Sequence, residues 1–151
     1  MRRLVSIALV VAATAILAAP AGARIVPGQS IAGVKLSMTK AQVRGVLGEP
    51  TTIAHGANEF GTFTVFKYFR LSVTFQGDAT ATAIKTNRKV ERTRNGIGVG
   101  STRAQVLAHV RGVQCFRTVC QKGMSLPGQR ITAFYLYHRR VTSVLVGFVI
   151  D

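Results

Sequence analysis

The sequence predicts an α+β fold made of two tandem repeats, each a short helix packed on an antiparallel β-sheet of about three strands. Two observations predict this fold class. The first is a repeated pattern: residues 33–48 (GVKLSMTKAQVRGVLG) recur 63 positions later as residues 96–111 (GIGVGSTRAQVLAHVR). The second is the alternation of apolar and polar residues after each copy, which is typical of half-buried strands.

The repeat divides the chain into four segments. A signal peptide is predicted at 1–23, a first α+β repeat at 24–87, a charged join at 88–95, and a second α+β repeat with a disulfide loop at 96–151. Removal of the signal peptide would leave 128 of the 151 residues. That length suits one compact domain, or two very small units that share a core.

The first segment has the organisation of a secretory signal. A basic start is followed by an apolar run at 4–17 and by small residues before position 24. This order predicts a cleaved signal peptide, with the cut between Ala23 and Arg24. The apolar run is short for a bilayer span, although an uncleaved membrane anchor is the alternative interpretation. We therefore expect a secreted or extracytoplasmic protein, in the periplasm or cell wall, whose mature chain has no transmembrane span.

The composition is strongly basic. The chain has 20 Lys and Arg residues against 5 Asp and Glu residues, and the signal peptide accounts for two of the basic ones. Such a surface attracts anionic partners through a long-range, salt-sensitive field. Outside the cytoplasm the candidate partners are anionic wall polymers, anionic lipid head groups and acidic proteins, whereas nucleic acid is an unlikely partner.

The two cysteines, Cys115 and Cys120, are separated by four residues. In an exported protein a nearby pair predicts a disulfide. A redox site would more often have the spacing C-x-x-C, and a zinc site would need further ligands nearby.

Each copy of the repeat carries the start signal of a helix. The motif T-K-A-Q begins at Thr39 and the motif T-R-A-Q begins at Thr102. Both match a capping box, in which the threonine side chain and the glutamine side chain each accept a hydrogen bond from the backbone of the other residue. In the first copy, Gly48 and Pro50 then predict the end of the helix.

The strands are predicted from period-two alternation. In the first repeat the segments are 51–54, 62–75 and 79–86, and in the second they are 131–137 and 141–149. The long segment 62–75 is compatible with one strand or with two strands separated by a kink near 67–70. A helix on one face of each sheet would leave the other face free.

Six basic residues are candidates for binding anions. They lie in the charged join and in the last hairpin turn: Arg88, Lys89, Arg92, Arg94, Arg139 and Arg140. The join has two interpretations, a solvated connection and an anion-binding patch. No aromatic residue interleaves these charges, so the pattern does not indicate base stacking.

No motif for catalysis, metal or cofactor binding is present. The glycine-rich segment 96–102 does not match a nucleotide-binding loop. Lys35 and Ser37 stand in the first copy where Gly98 and Gly100 stand in the second, so we predict that the fold does not require those glycines. The five carboxylates form no recognisable catalytic pair, and no histidine has a well-spaced metal-ligand partner. We predict no catalytic residue, no metal ligand, no cofactor and no enzymatic activity.

The twin pattern G-x5-T-[KR]-A-Q-V, followed each time by a strand hairpin, resembles the β-lactamase-inhibitor-protein-like fold. That group includes the tandem-repeat inhibitor itself and the SmpA/OmlA-type outer-membrane assembly lipoproteins. The resemblance implies a helical layer on an antiparallel sheet and a role in binding a protein partner. It carries over no functional residue.

These observations predict a non-catalytic, secreted or envelope-associated module that binds a protein. The candidate surface is an aromatic set whose members fit the core equally well: Phe66, Tyr68, Tyr135 and Tyr137. The alternative is a cationic module that binds anionic wall polymer or lipid through the six basic residues. An unrecognised hydrolase is a third hypothesis.

Overall fold

A computed structural model describes residues 24–150 of the chain. The predicted signal peptide, with Ala23 on one side of its cleavage site, lies outside the described residues, as does Asp151. The described elements are β1 (Ile25–Val26), β2 (Ser30–Ile31), β3 (Val34–Lys35), α1 (Lys40–Leu47), β4 (Thr52–Asn58), β5 (Gly61–Tyr68), β6 (Leu71–Gln76), β7 (Ala83–Thr86), α2 (Arg103–His109), β8 (Val113–Cys115), β9 (Val119–Lys122), β10 (Arg130–Tyr137) and β11 (Arg140–Phe148).

The predicted α+β fold class is wrong, because the protein is mainly β. Among the described residues, strands make up 47% and helices only 12%. Eight strands form one antiparallel sheet in the order β4-β5-β6-β7-β11-β10-β9-β8, and β1, β2 and β3 form a small second sheet. The prediction of two sheets of about three strands failed because β7 pairs directly with β11, with Ile84 opposite Val146, which joins all the main strands into one sheet.

The sheet has a regular path. Each helix precedes four strands that are neighbours in chain order, β4 to β7 after α1 and β8 to β11 after α2. The last strand of each set lies at the centre of the sheet, and the first lies at an edge. Division of the chain into two duplicated repeats stays a prediction.

The segment 62–75 forms two strands, because the chain turns at Phe69 and Arg70. Arg70 has a left-handed backbone, with φ of 53°, and Tyr68 lies opposite Leu71. A turn of two residues places positions 68 and 71 on the same side of the sheet, so the phase of the alternation changes across it. The odd-numbered residues before the turn, Phe63 and Val65, therefore face the side opposite to that of Leu71, Val73 and Phe75, whereas Phe66 faces the same side as Val73.

Both predicted capping boxes are confirmed. In α1 the backbone N–H of Gln42 donates to Thr39 Oγ1 at 3.3 Å, and the backbone N–H of Thr39 donates to Gln42 Oε1 at 2.9 Å. Thr102 and Gln105 make the same reciprocal pair at the start of α2. These short helices cannot be stable alone, so each depends on burying an apolar residue against the sheet.

The core lies on one face of the large sheet. A row of buried side chains crosses its central strands, each residue opposite the next: Phe66, Val73, Ile84, Val146 and Thr132. The helices contribute Val43 and Val106 to the same cluster, and the small sheet contributes Ile25, Ile31 and Val34. The helices and the small sheet thus cover the core face. The opposite face is called the free face below.

The predicted disulfide between Cys115 and Cys120 is present and joins opposite residues of β8 and β9. Replacement of both cysteines by alanine is expected to lower the free energy of unfolding by about 2 kcal/mol, because the crosslink restricts the unfolded chain. Urea unfolding of the oxidised protein and of the double variant measures the difference. Equal midpoints and slopes for the two proteins would show that the crosslink contributes nothing.

Candidate functional site

The free face carries a continuous row of side chains across all eight strands. Strand registry places each residue opposite the next, in the order Thr52, Lys67, Ser72, Lys85, Leu145, Ala133, Gln121 and Gln114. All except Ala133 are exposed or half-buried. Since alternate residues of a strand face opposite sides, this row is the counterpart of the buried row.

Tyr135 lies beside this row and contacts it. It stands opposite Val119 on one side and Ser143 on the other, and its side chain is 38% exposed. The Lys85 ammonium lies 5.3 Å from the centre of the Tyr135 ring, which is a cation–π distance. The middle of the free face therefore presents an aromatic ring together with a positive charge.

At the β8 edge the row ends in an apolar cavity of about 510 Å³. Gln114 and Gln121, the last two residues of the row, line it. Three large apolar side chains also line it and are mostly exposed: Phe116 at 58%, Met124 at 65% and Leu126 at 52%. Clustered exposure of this kind marks an interaction surface more often than scattered apolar residues do.

The structure separates the four predicted protein-binding aromatics. Phe66 is a core residue, 1% exposed, with its ring 4.8 Å from that of Phe75. Tyr68 also lies on the core side and donates a hydrogen bond to the carbonyl oxygen of Gly48, while burial raises the pKa of its hydroxyl. Only Tyr135 and Tyr137 are exposed on the free face, so Phe66 and Tyr68 are removed from the candidate surface.

Sequence reasoning missed Phe116, Met124 and Leu126. Their positions in the sequence do carry a signal of exposure. Phe116 lies between the two cysteines, and the other two lie in a segment bounded by glycines and Pro127. Apolar residues in such irregular segments have no regular partner to pack against. Their exposure was therefore a possible inference from the sequence.

The charged join is packed against the fold. Glu91 is completely buried, and the guanidinium groups of Arg24 and Arg88 lie 3.6 Å from its carboxylate. Arg88 also donates to the carbonyl oxygen of Phe69 at 2.6 Å. Of the six anion-binding candidates, Lys89, Arg94, Arg139 and Arg140 are exposed, whereas Arg88 and Arg92 are half-buried and bonded to backbone.

The prediction that Gly98 is replaceable is wrong. Gly98 is buried and forms a bridge to Arg92, next to Glu91. A Cβ atom at position 98 would lie 2.5 Å from the carbonyl oxygen of Glu91. The close approach of two backbone segments therefore requires glycine at this point.

Where a carboxylate of the described residues forms an ion pair, its partner is an Arg or Lys side chain of the same fold. Asp78 accepts from Lys40 Nζ at 2.7 Å and also from the Thr64 hydroxyl. The hydrogen bond from Lys40, and after it the one from Thr64, hold the pKa of the Asp78 carboxyl below its usual value.

Within residues 24–150 no group of three His, Cys, Asp or Glu side chains is arranged to hold a metal ion. No helix in the same range is long and apolar enough to cross a membrane.

Comparison with known proteins gives one structural relationship. No protein-family model matches the chain, and no curated protein matches it. Among solved structures, it is similar to the crystal structure of a DUF4309 family protein (YjgB) from Bacillus subtilis subsp. subtilis strain 168, with a TM-score of 0.50 and 19% identity. The match covers 80% of this chain and 88% of that chain. At this identity the similarity shows the fold alone, and the resemblance to β-lactamase-inhibitor proteins stays a prediction.

Proposed function

We propose that this protein is an extracytoplasmic, non-catalytic module that binds a protein partner on the free face of its eight-stranded sheet. The main observation in support of the proposal is that side chains form one continuous surface across this face. The row across the eight strands leads past Tyr135 into the cavity with exposed Phe116, Met124 and Leu126. The predicted signal peptide and the disulfide support the location, since structural disulfides persist in oxidising compartments.

The dimensions of the free face suit a protein partner. Neighbouring strands lie about 4.8 Å apart, so eight strands span about 34 Å. A stable interface buries about 800 Å² on each partner, and a few aromatic or other large anchors supply most of its binding energy. Tyr135, Tyr137 and Phe116 are exposed aromatic anchors, and Met124 can adapt its shape to a partner side chain.

The charge of the free face constrains the partner. Lys67 and Lys85 belong to the row, and no residue of the row is a carboxylate. Complementarity then favours a partner with an acidic surface and an apolar side chain that enters the cavity at the β8 edge. The lysines would accelerate association, while the apolar anchors would slow dissociation.

Capture from envelope extract tests the proposal. Wild-type protein is expected to retain a discrete protein through a high-salt wash, because apolar contacts are not screened by salt. The affinity of the double variant Tyr135→Ala/Met124→Ala for this protein is expected to be lower by roughly tenfold or more, because two anchor side chains are lost. The matched control is Phe69→Ala/Val90→Ala, which removes an aromatic and an aliphatic side chain that are 77% and 62% exposed elsewhere.

Two results would reject the free face as the binding site. One is equal retention of the partner by the anchor variant and the control. The other is recovery of anionic polymer or lipid only, released at modest salt. The second result would favour the alternative function, a cationic module that binds anionic wall polymer or lipid.

A further inference from the structure

A second cavity, of about 450 Å³, lies on the helix side of the protein. It is open to solvent and is bordered by the end of the charged join, the loop that leads into α2, one side of α2 and the start of β11. Its polar lining comes mainly from Lys89, Arg92, Asn95, Gln105, His109 and Arg140. A volume of this size is within the range of small-ligand sites, about 300–1,000 Å³.

The side chains that line this cavity carry positive charges and no negative charge. None of the described carboxylates lines it. Asp78 and Glu49 are paired with Lys40 and Arg44, and Glu91 lies buried between Arg24 and Arg88. From position 92 to position 150 the sequence has nine Lys and Arg residues and no Asp or Glu. A concave site of one sign concentrates ions of the opposite sign.

The two guanidinium groups of the cavity are held in place by neutral partners. Arg92 donates to the carbonyl oxygens of Gly96 at 2.9 Å and Val99 at 3.1 Å, and its Nη1 lies 3.5 Å from Ser101 Oγ. Arg140 donates to the carbonyl oxygen of Gly100 at 3.1 Å. A guanidinium has five N–H groups, so both side chains keep donors for a ligand. No carboxylate of residues 24–150 accepts from either guanidinium, so no fixed anion in that range offsets their charges.

Two further side chains of α2 and a third cation complete the site. Gln105 uses its side-chain oxygen in the capping box of α2, which leaves its NH₂ group to donate. His109 lies one turn further along the same side of α2, and its ring is exposed. Lys89 adds an exposed ammonium from the join. The arrangement offers donors from several directions around one space.

We propose that this cavity binds a phosphate-bearing ligand. Phosphate has several acceptor oxygens and more than one negative charge, and guanidinium groups match it through paired hydrogen bonds. A monocarboxylate would leave part of the positive charge unneutralised. The phosphate could belong to a soluble ester, to a glycerol-phosphate chain or to a lipid head group. The site lies away from the free face, so it does not depend on the proposed protein binding.

Calorimetric titration with inorganic phosphate and with glycerol 3-phosphate tests the proposal, using protein purified from expression of the full chain. We expect saturable binding that weakens with salt. The affinity of the double variant Lys89→Ala/Arg140→Ala is expected to be lower by roughly tenfold or more, because each substitution removes a charge-assisted contact with the phosphate. The matched control, Lys35→Ala/Arg117→Ala, removes the same charge from exposed positions and should bind like the wild type.

Additional measurements distinguish a lost ligand contact from unfolding and identify the source of the phosphate. Lys89→Glu retains the Arg140 anchor to Gly100, so weaker binding by a folded Lys89→Glu variant separates ligand contact from loss of structure. Competition by phosphatidylglycerol vesicles would assign the phosphate to a lipid, and competition by glycerol-phosphate oligomers alone would assign it to a polymer. The Tyr135→Ala/Met124→Ala variant should bind phosphate normally, which distinguishes this proposal from the proposed function.

The proposal is overturned by either of two outcomes. In the first, the wild-type protein shows no saturable binding of either phosphate probe. In the second, the control variant loses as much affinity as the cavity variant, which would mean that net charge alone attracts the anion.

Discussion

Replacement of Phe66 by alanine is expected to lower the free energy of unfolding by about 3–5 kcal/mol, as for other buried phenylalanines. Phe66 is 1% exposed and lies in the buried row of the sheet. Its ring meets that of Phe75 edge-on at 4.8 Å, and the Arg44 guanidinium lies 4.6 Å from its centre. Removing the ring would leave a cavity between α1 and the sheet that these neighbours cannot fill.

Chemical unfolding of Phe66→Ala, compared with Phe69→Ala, measures this effect. Phe69 precedes Arg70 in the β5–β6 turn and is 77% exposed, so its removal should change stability by no more than about 0.5 kcal/mol. Both variants lose the same atoms, and the difference between them reports burial. Similar small losses for the two variants would show that Phe66 belongs to the surface, as one reading of the sequence allowed.

Gly123→Ala is expected to cost about 2–5 kcal/mol. Gly123 follows β9 with φ of +96°, and a left-handed backbone costs an alanine about 1–2 kcal/mol. An added Cβ would also lie 2.4 Å from the carbonyl oxygen of Arg130. Relief of that overlap must move backbone, which typically costs about 1–3 kcal/mol more. Gly123 also lines the apolar cavity, so the variant should weaken protein binding as well.

The control for Gly123→Ala is Gly45→Ala. Gly45 lies within α1, and a Cβ there would meet nothing within 4 Å. The same substitution should therefore stabilise the protein by about 0.5–1 kcal/mol, because alanine favours the helix and restricts the unfolded chain. Thermal unfolding of the two variants should shift in opposite directions. A shift of Gly123→Ala in the same direction as Gly45→Ala would contradict the close approach to Arg130.

The two proposed sites use different parts of the fold. The free face is built by the sheet, and the loops after β8 and β9 add the apolar cavity at its edge. It combines exposed aromatic and apolar side chains with two lysines. The polar cavity is built by the join, α2 and the start of β11, and its charge comes from residues that are distant in sequence, such as Lys89 and Arg140. Variants at one site leave the contacts of the other intact, so the two binding activities can be measured separately.

The sequence predicted part of the candidate sites. It identified Tyr135 and Tyr137 as possible binding residues and Lys89 and Arg140 as anion candidates. It could not separate Tyr135 from Phe66, because alternation along a strand defines two faces without showing which one is covered. The β5–β6 turn, which changes the phase of the alternation, decides that question for Phe66.

The sequence by itself determined the local features: both capping boxes, the disulfide pair and most of the strands of the sheet. Each of these depends on residues only a few positions apart, whose geometry the chain imposes directly. Only the tertiary structure decided the pairing of β7 with β11, the burial of Glu91 and the need for glycine at position 98. These features depend on segments brought together by packing. Such long-range contacts leave no periodic or spacing signal in the local sequence, because many other partners would satisfy the same strand pattern.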